Sequence, residues 1–117
     1  NDSTAMGVIN ALGSTYSNDV WPVVTGQDCD IANMPHIING KQAMSVFKDT
    51  RTLAAKVVEM VDALMKGVEP PINDTETYDN GTGVIPSFLC EPVAATVDDI
   101  QTLLIDSGYY TEADLAN

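Results

Sequence analysis

The sequence predicts an α/β fold in which helices cover a parallel sheet. Along its first half, helical and strand patterns alternate in the order helix, strand, helix, strand, helix. Strands that alternate with helices are typical of a parallel sheet with crossover connections. The length of 117 residues suits one small domain, and a hydrophobic content of 44% is that of a globular chain.

Four stretches have helical patterns. The first helix repeats apolar residues at the spacing of one helix face, and the third is the clearest, with a capping acid before it and Gly67 after it. The last opens on Thr96-x-x-Asp99, which resembles a capping box, and stops at Gly108. The predicted helices are Ser3–Leu12 (Ala5, Val8, Ile9 and Leu12 inside), Asp30–Asn39 (Ile31, Met34 and Ile38 inside), Asp49–Lys66, and one that starts after Thr96 with Val97, Ile100, Leu103 and Leu104 inside.

Short strands are predicted between these helices. Val23–Thr25 is β-branched and reads as a buried strand, and Ala43–Lys48 is a second one. A hairpin-like pair is expected around Asn80-Gly81, a dipeptide that favours tight turns. The chain does not begin with Met, and polar residues run directly into the first helix, so we expect it to be part of a longer protein.

Charge and cysteine content exclude several classes of function. The formal net charge of −12 argues against nucleic acid, because no basic patch can form to neutralise phosphates, and it disfavours an anionic membrane surface. No run of about 18 apolar residues is present, so no membrane span is expected. With one His and no C-x-x-C spacing, no metal site and no cofactor is expected. Cys29 and Cys90 are expected to be unpaired, mostly buried thiols, with a disulfide as the alternative.

Three polar residues are expected to converge at one edge of the sheet. Asn1 precedes the first helix, Asp28 follows the first strand, and Lys48 ends the second. In an open parallel sheet the carboxyl ends of the strands lie on one edge, where ligands bind. An amide, a carboxylate and an ammonium together supply the donors and acceptors that a polyhydroxylated ligand needs.

Each of these residues also has a purely structural explanation. An acid after a strand is commonly a helix cap, although Asp30 and Asn33 could serve as caps here and leave Asp28 for a ligand. Lys48 could form an ion pair with a neighbouring Asp, and Asn1 could simply begin a helix. The spacing of the three residues, rather than any one of them, favours a binding site.

At these residues the sequence resembles a known family. The segments "NDSTAMGVINAL", "PVVTGQDCD", "SVFKDTRTLA" and "VIPSFLCEPVAATVDDIQTLLIDSGYY" resemble, in order, the final third of the periplasmic sugar-binding receptors of ABC transporters. The multiple-monosaccharide and xylose receptors look most similar. In that family the Asn of N-D, the Asp of G-Q-D and the Lys of the F-K strand bind the sugar. The resemblance therefore implies ligand-binding roles for Asn1, Asp28 and Lys48, and supporting roles for Asp2 and Gln27.

The resemblance implies the three-layer α/β lobes of a type I periplasmic binding protein, here its C-terminal portion, and no enzymatic activity. Residues 1–48 would belong to the C-terminal sugar-binding lobe, 49–86 would add a helix and hairpin to the other lobe, and 87–117 would form a hinge-crossing strand and a C-terminal helix. The implied partners are a monosaccharide of the xylose, glucose, galactose or arabinose class and an ABC-transporter permease. The implied location is extracytoplasmic, either in the periplasm or as a cell-surface lipoprotein.

Two other functions fit the same pattern. One is the effector-binding domain of a sugar-responsive transcription repressor, which shares this architecture. The other is a small α/β enzyme that acts on sugars with Asp28 and Lys48 as acid and base. The apolar stripe of the long helix, Leu53 to Met65, needs a cover that the chain does not obviously supply. We therefore expect an extended or two-part chain that repacks or pairs with a second copy, as in a domain swap.

Overall fold

The structure is a computed structural model that describes residues 1–115. The chain divides into two compact units. One unit joins Asn1–Phe47 to the segment that begins at Pro92, and the other is Lys48–Glu91. The expectation of a two-part chain is thus confirmed, while the assignment of 1–48, 49–86 and 87–117 to receptor lobes stays a prediction.

The first unit contains a three-stranded sheet in the order β1-β2-β3. Strand β1 (Thr25–Gln27) pairs in parallel with β2 (Met44–Phe47), as the sequence predicts. Strand β3 (Val93–Ala95) pairs with β2 in the antiparallel direction and makes the sheet mixed. The residue pattern did not predict β3, because two of its three residues are alanines, which are depleted in strands. Only the resemblance implied a strand within 87–117.

Helices flank this sheet in the first unit. The ranges are α1 (Asp2–Thr15), a 3₁₀ turn (Ile31–Asn33) that leads into α2 (Met34–Ile38), a π-helical segment (Gln101–Ile105), and α4 (Glu112–Leu115). The predicted capping box is observed in part: the N–H and hydroxyl of Thr96 donate to Asp99 Oδ2 at 3.0 and 2.7 Å, whereas Asp99 N donates to the Thr96 carbonyl at 3.1 Å. The predicted stop at Gly108 is confirmed by its φ of +70°.

Two apolar clusters form the core of this unit. One consists of Cys29, Met34, Ile37, Phe47, Ala95, Ile100 and Leu104, and the other of Ala5, Ile9 and Val24 with Leu12 and Trp21 against them. The first cluster includes Phe47, the last residue of β2, and the second includes Val24, the residue before β1.

Several predicted core positions were wrong, among them Val8 of α1, which was expected inside and is 44% exposed. The first strand begins at Thr25, two residues late, so Val24 is buried while Val23 is 84% exposed. The 3₁₀ turn before α2 changes the helical phase, so Ile37 is buried in place of Ile38. Val97 is exposed because it lies in the capping turn ahead of the π-helical segment.

The second unit is built on α3 (Thr50–Met65), whose range matches the prediction. Asp49 caps it by accepting from Arg51 N at 2.9 Å. The predicted hairpin around Asn80-Gly81 has antiparallel bridges at Asp79–Val84 and Asp74–Ser87 but no regular strands. The apolar stripe of α3 is not covered by repacking within the chain, since its large side chains are all exposed: Leu53, Val57, Val58, Val61, Leu64 and Met65. Pairing with a second copy stays a prediction. Within residues 1–115, no helix has both the length and the apolar character to cross a membrane.

Val23 and Val24 provide a matched test of the observed packing. Because only the Val24 side chain is buried, Val24→Ala should lower the free energy of unfolding by about 2 kcal/mol through the loss of buried methyl groups. Val23→Ala makes the same chemical change on the adjacent, exposed side chain and should change stability by less than about 0.5 kcal/mol. Chemical denaturation of both variants measures the difference, and equal losses would contradict the position of β1.

Candidate functional site

The candidate site lies where β1 and β2 end. Asp28 directly follows β1, and its N–H donates to Val46 O at 2.9 Å, which extends the parallel ladder by one residue. Lys48 directly follows β2 and is the first residue of the second unit. The structure thus puts the first two predicted strands in parallel, with Asp28 and Lys48 leaving from their carboxyl ends.

The backbone at Asp28 and Cys29 is strained. Both residues have positive φ, +100° at Asp28 and +52° at Cys29. Residues other than glycine rarely adopt such values, and each instance costs about 1–3 kcal/mol. Strain of this kind persists only where the surroundings fix the backbone, and it is concentrated at functional sites.

A buried carboxylate fixes this turn. Asp2, at the start of α1, is fully buried, and its Oδ2 accepts from Asp30 N at 2.8 Å. The hydroxyl of Ser45 donates to the same carboxylate at 2.9 Å and accepts from Cys29 N at 3.0 Å. Hydrogen bonds to a charged acceptor are stronger than neutral ones, so Asp2 ties the turn firmly to α1 and β2. The supporting role that the resemblance implied for Asp2 agrees with these contacts.

Two amide side chains complete the polar network. Gln42 Nε2 donates to Asp2 Oδ1 at 2.8 Å, and Asn33 Nδ2 donates to Gln42 Oε1 at 2.8 Å and to Asp2 O at 2.9 Å. Both amide residues are buried. Gly26 allows this arrangement, because a Cβ at that position would overlap Asp2 Oδ1 and lie 2.6 Å from Gln42 Nε2.

Asn1 is placed beside this network by its sequence neighbour Asp2. Its Oδ1 caps α1 by accepting from Thr4 N at 3.2 Å and from the Thr4 hydroxyl at 3.1 Å. The structural alternative, in which Asn1 begins the first helix, is therefore correct for the side-chain oxygen. The cap does not use the two N–H donors of Asn1 Nδ2. A ligand role for that group stays a prediction.

The two cysteines are free thiols, as expected. Cys29 is fully buried, and burial raises the pKa of its thiol to about 11. Cys90 is only half-buried, which corrects the expectation that both thiols are mostly buried. It lies three residues before β3, which begins at Val93.

The turn carries a concentration of negative charge. Burial, and after it the carboxylates of Asp2 and Asp28, raise the pKa of the Asp30 carboxyl. Across the residues that the structure describes, no group of three or more His, Cys, Asp and Glu side chains is arranged to hold a metal ion. An acceptor-rich turn of this kind suits a ligand that offers hydroxyl donors.

Sequence analysis missed the side chains that hold the turn. Asp30 and Asn33 were considered as helix caps, and although both occupy cap positions, neither side chain makes a cap hydrogen bond. Gln42 and Ser45 look like ordinary surface or strand residues in the sequence. Tyr110 was also missed, although its hydroxyl donates to Cys29 O at 3.0 Å across 81 residues of chain. The adjacency of Gly26 to the acid-rich stretch Asp28–Asp30 was the available signal of a tight, polar turn.

Comparison with solved structures defines the class of protein. The chain aligns with an ABC-transporter solute-binding protein of Clostridium phytofermentans holding β-D-glucose, with a TM-score of 0.92 and 64% identity over 98% of this chain and 35% of that one. It aligns with a carbohydrate-transporter solute-binding protein of Chloroflexus aurantiacus in complex with D-glucose, with a TM-score of 0.86 and 38% identity over 97% of this chain and 33% of that one. The predicted α/β fold of the periplasmic binding proteins is confirmed.

Curated relatives narrow the class to sugar-binding proteins. The chain is 45% identical to the multiple sugar-binding periplasmic protein SbpA of Azospirillum brasilense, over 96% of this chain and 32% of that protein. It is 43% identical to the multiple sugar-binding periplasmic receptor ChvE of Rhizobium radiobacter, over 93% and 32%. It is 34% identical to the D-xylose-binding periplasmic protein of Escherichia coli, over 98% and 34%. No family model matches the chain.

The resemblance seen in the sequence is confirmed: along almost its whole length, this chain is similar to sugar-binding periplasmic proteins. It spans about a third of the length of these relatives. The relatives are named as binding proteins, which favours the receptor interpretation over the repressor and the enzyme.

Gly26 and Gly7 give opposite expectations for the same substitution. Gly26→Ala should lower the free energy of unfolding by about 1–3 kcal/mol, because its Cβ would displace the buried Asp2 carboxylate. Gly7→Ala, in α1 with nothing within 4 Å of its Cβ, should raise stability by about 0.5–1 kcal/mol. Urea denaturation measures both values, and a stabilising Gly26→Ala would show that the carboxylate is not packed against Gly26.

The buried thiol of Cys29 predicts loss of stability at high pH. Its pKa is about 11 in the folded chain against an ordinary 9.0, so only the unfolded chain loses the proton between these values. The stabilisation is complete below pH 9 and is lost as the pH rises to about 11, a change of about 2–3 kcal/mol. Over this pH range, the free energy of unfolding of the natural chain should fall by that amount relative to that of Cys29→Ala. A pH-independent difference would contradict the burial of the thiol.

Proposed function

We propose that this chain forms part of the monosaccharide site of an extracytoplasmic solute-binding protein that delivers sugar to an ABC-transporter permease. The likeness to two glucose-bound solute-binding proteins, at TM-scores of 0.92 and 0.86, carries this proposal. The names of the curated relatives support a periplasmic location. The strained, acceptor-rich turn at Asp28 supplies the chemistry that the function requires.

Within this site, Asp28, Lys48 and Asn1 contact the sugar. The Asp28 carboxylate accepts hydrogen bonds from sugar hydroxyls, and its charge makes those bonds stronger than neutral ones. The Lys48 ammonium donates to hydroxyl or ring oxygens, and the amide of Asn1 donates through Nδ2. No covalent step is involved, so the sugar leaves the complex unchanged.

Glucose is the first ligand to test, and xylose, galactose and arabinose are the next. The two glucose-bound neighbours support a hexose, and the relatives named for xylose binding support a pentose. Calorimetric titration of the complete protein with each sugar would rank them. Recovery of chemically altered sugar from the complex would overturn the binding function and favour an enzyme.

Substitution of Asp28 tests the site directly. In the complete protein, Asp28→Ala should weaken sugar binding by about 1.5–3 kcal/mol, or about ten- to a hundredfold, because it removes a charged acceptor. Lys48→Met should also weaken binding, and Asn1→Ala should do so to a smaller extent. Asp19→Ala, which removes an exposed carboxylate from the loop before β1, is the control and should bind normally. Natural affinity in Asp28→Ala would end the assignment of this site.

A further inference from the structure

The peptide unit between Cys29 and Asp30 is held at both ends by side chains. Its N–H, on Asp30, donates to the buried Asp2 carboxylate at 2.8 Å. Its carbonyl, on Cys29, accepts from the Tyr110 hydroxyl at 3.0 Å. The two anchors come from opposite ends of the first unit's sequence. A peptide unit bonded at both its N–H and its C=O cannot rotate without breaking a hydrogen bond.

This peptide unit closes the left-handed turn that begins at Asp28. The two peptide units that flank Asp28 are both hydrogen-bonded. The Asp28 N–H donates to Val46 O, and the Cys29 N–H donates to Ser45 Oγ. Those bonds fix the backbone before and within the left-handed turn, and the Tyr110 bond fixes the backbone after it. Strained backbone is retained only when such surroundings over-determine it. Loss of the Tyr110 bond would remove this constraint from the carbonyl side of the turn.

Tyr110 is itself held rigidly. Its N–H donates to Leu104 O at 2.8 Å, and its ring packs edge-on against Tyr109 with centroids 5.0 Å apart. Tyr109 packs edge-on against Phe47, the last residue of β2, at 4.8 Å. The pKa of the Tyr110 hydroxyl is raised by burial, in keeping with its position inside the unit. Edge-to-face contacts among Phe47, Tyr109 and Tyr110 therefore hold the Tyr110 ring beside the turn.

We propose that Tyr110 is a positioning residue of the sugar site, which holds the Asp28–Cys29 turn in its left-handed conformation and so presents the Asp28 carboxylate to the ligand. This inference rests on the proposed function, because it assumes that Asp28 contacts the sugar. Tyr110 acts through the Cys29 carbonyl and need not touch the ligand. A pre-ordered turn raises affinity because less conformational entropy is lost when the ligand binds.

Two tyrosine substitutions provide a matched test. Tyr110→Phe removes the hydroxyl that donates to Cys29 O at 3.0 Å, and Tyr16→Phe removes one that donates to Val20 O at the same distance. In calorimetric titrations of the complete protein with glucose, or with whichever of the four monosaccharides binds best, Tyr110→Phe should weaken binding about three- to tenfold. Tyr16→Phe should bind normally. Natural affinity in Tyr110→Phe, with Asp28→Ala weakened, would overturn the positioning role and leave the proposed function standing.

A double substitution separates positioning from a general structural effect. If Tyr110 acts through Asp28, Tyr110→Phe should weaken binding little further in the Asp28→Ala background, whereas losses that multiply would overturn the proposal. Natural affinity in Asp28→Ala alone would instead refute the proposed role of Asp28.

Nuclear magnetic resonance gives a readout that is independent of affinity. The HN–Hα couplings of Asp28 and Cys29 report their φ angles in the sugar-free protein. They should shift in Tyr110→Phe and stay unchanged in Tyr16→Phe. Unchanged couplings in Tyr110→Phe would show that Tyr110 does not hold the turn.

Discussion

The buried carboxylate of Asp2 organises the first unit of this chain. It accepts hydrogen bonds from the backbone of Asp30, from Gln42 and from Ser45, and so links α1, the turn after β1 and strand β2. Removing a carboxylate from water is costly unless its oxygens are bonded in the folded chain. The side chains around Asp2 meet that requirement, and in doing so they hold the ends of β1 and β2 in one register.

The same network explains how a strained turn can exist beside the sheet. Positive φ at two successive residues that are not glycine is unfavourable, and the hydrogen bonds from Asp28, Cys29 and Asp30 offset its cost. Gly26 contributes by leaving the space that the Asp2 carboxylate fills. In the proposed function, this rigid frame holds a charged acceptor in place before the sugar arrives, which lowers the entropic cost of binding.

The two units differ in how completely they bury their apolar side chains. The first unit encloses Met34, Ile37 and Leu104 almost completely. The second unit leaves the apolar face of α3 exposed, with Met65 at 82% and Val58 at 68%. Burial of such side chains stabilises a protein by about 1.5–3 kcal/mol each. Because the apolar face of α3 is exposed, the second unit does not gain this stabilisation from its own core. Hydrogen bonds at the α3 cap and between Asn73 and Leu89 contribute to its order.

The sequence alone determined the helix–strand order, the range of α3, the capping box at Thr96 and the placement of Asp28 and Lys48 after successive strands. These follow from local periodicity and from capping chemistry, which act over a few residues. It also carried the likeness to sugar-binding proteins, in the motifs around Asp2 and Gly26. Only the tertiary structure decided the antiparallel β3, the left-handed turn and the meeting of Asp2, Ser45 and Tyr110 around Cys29. Those features depend on contacts between residues far apart in the chain, and no local pattern encodes which buried polar groups will become partners.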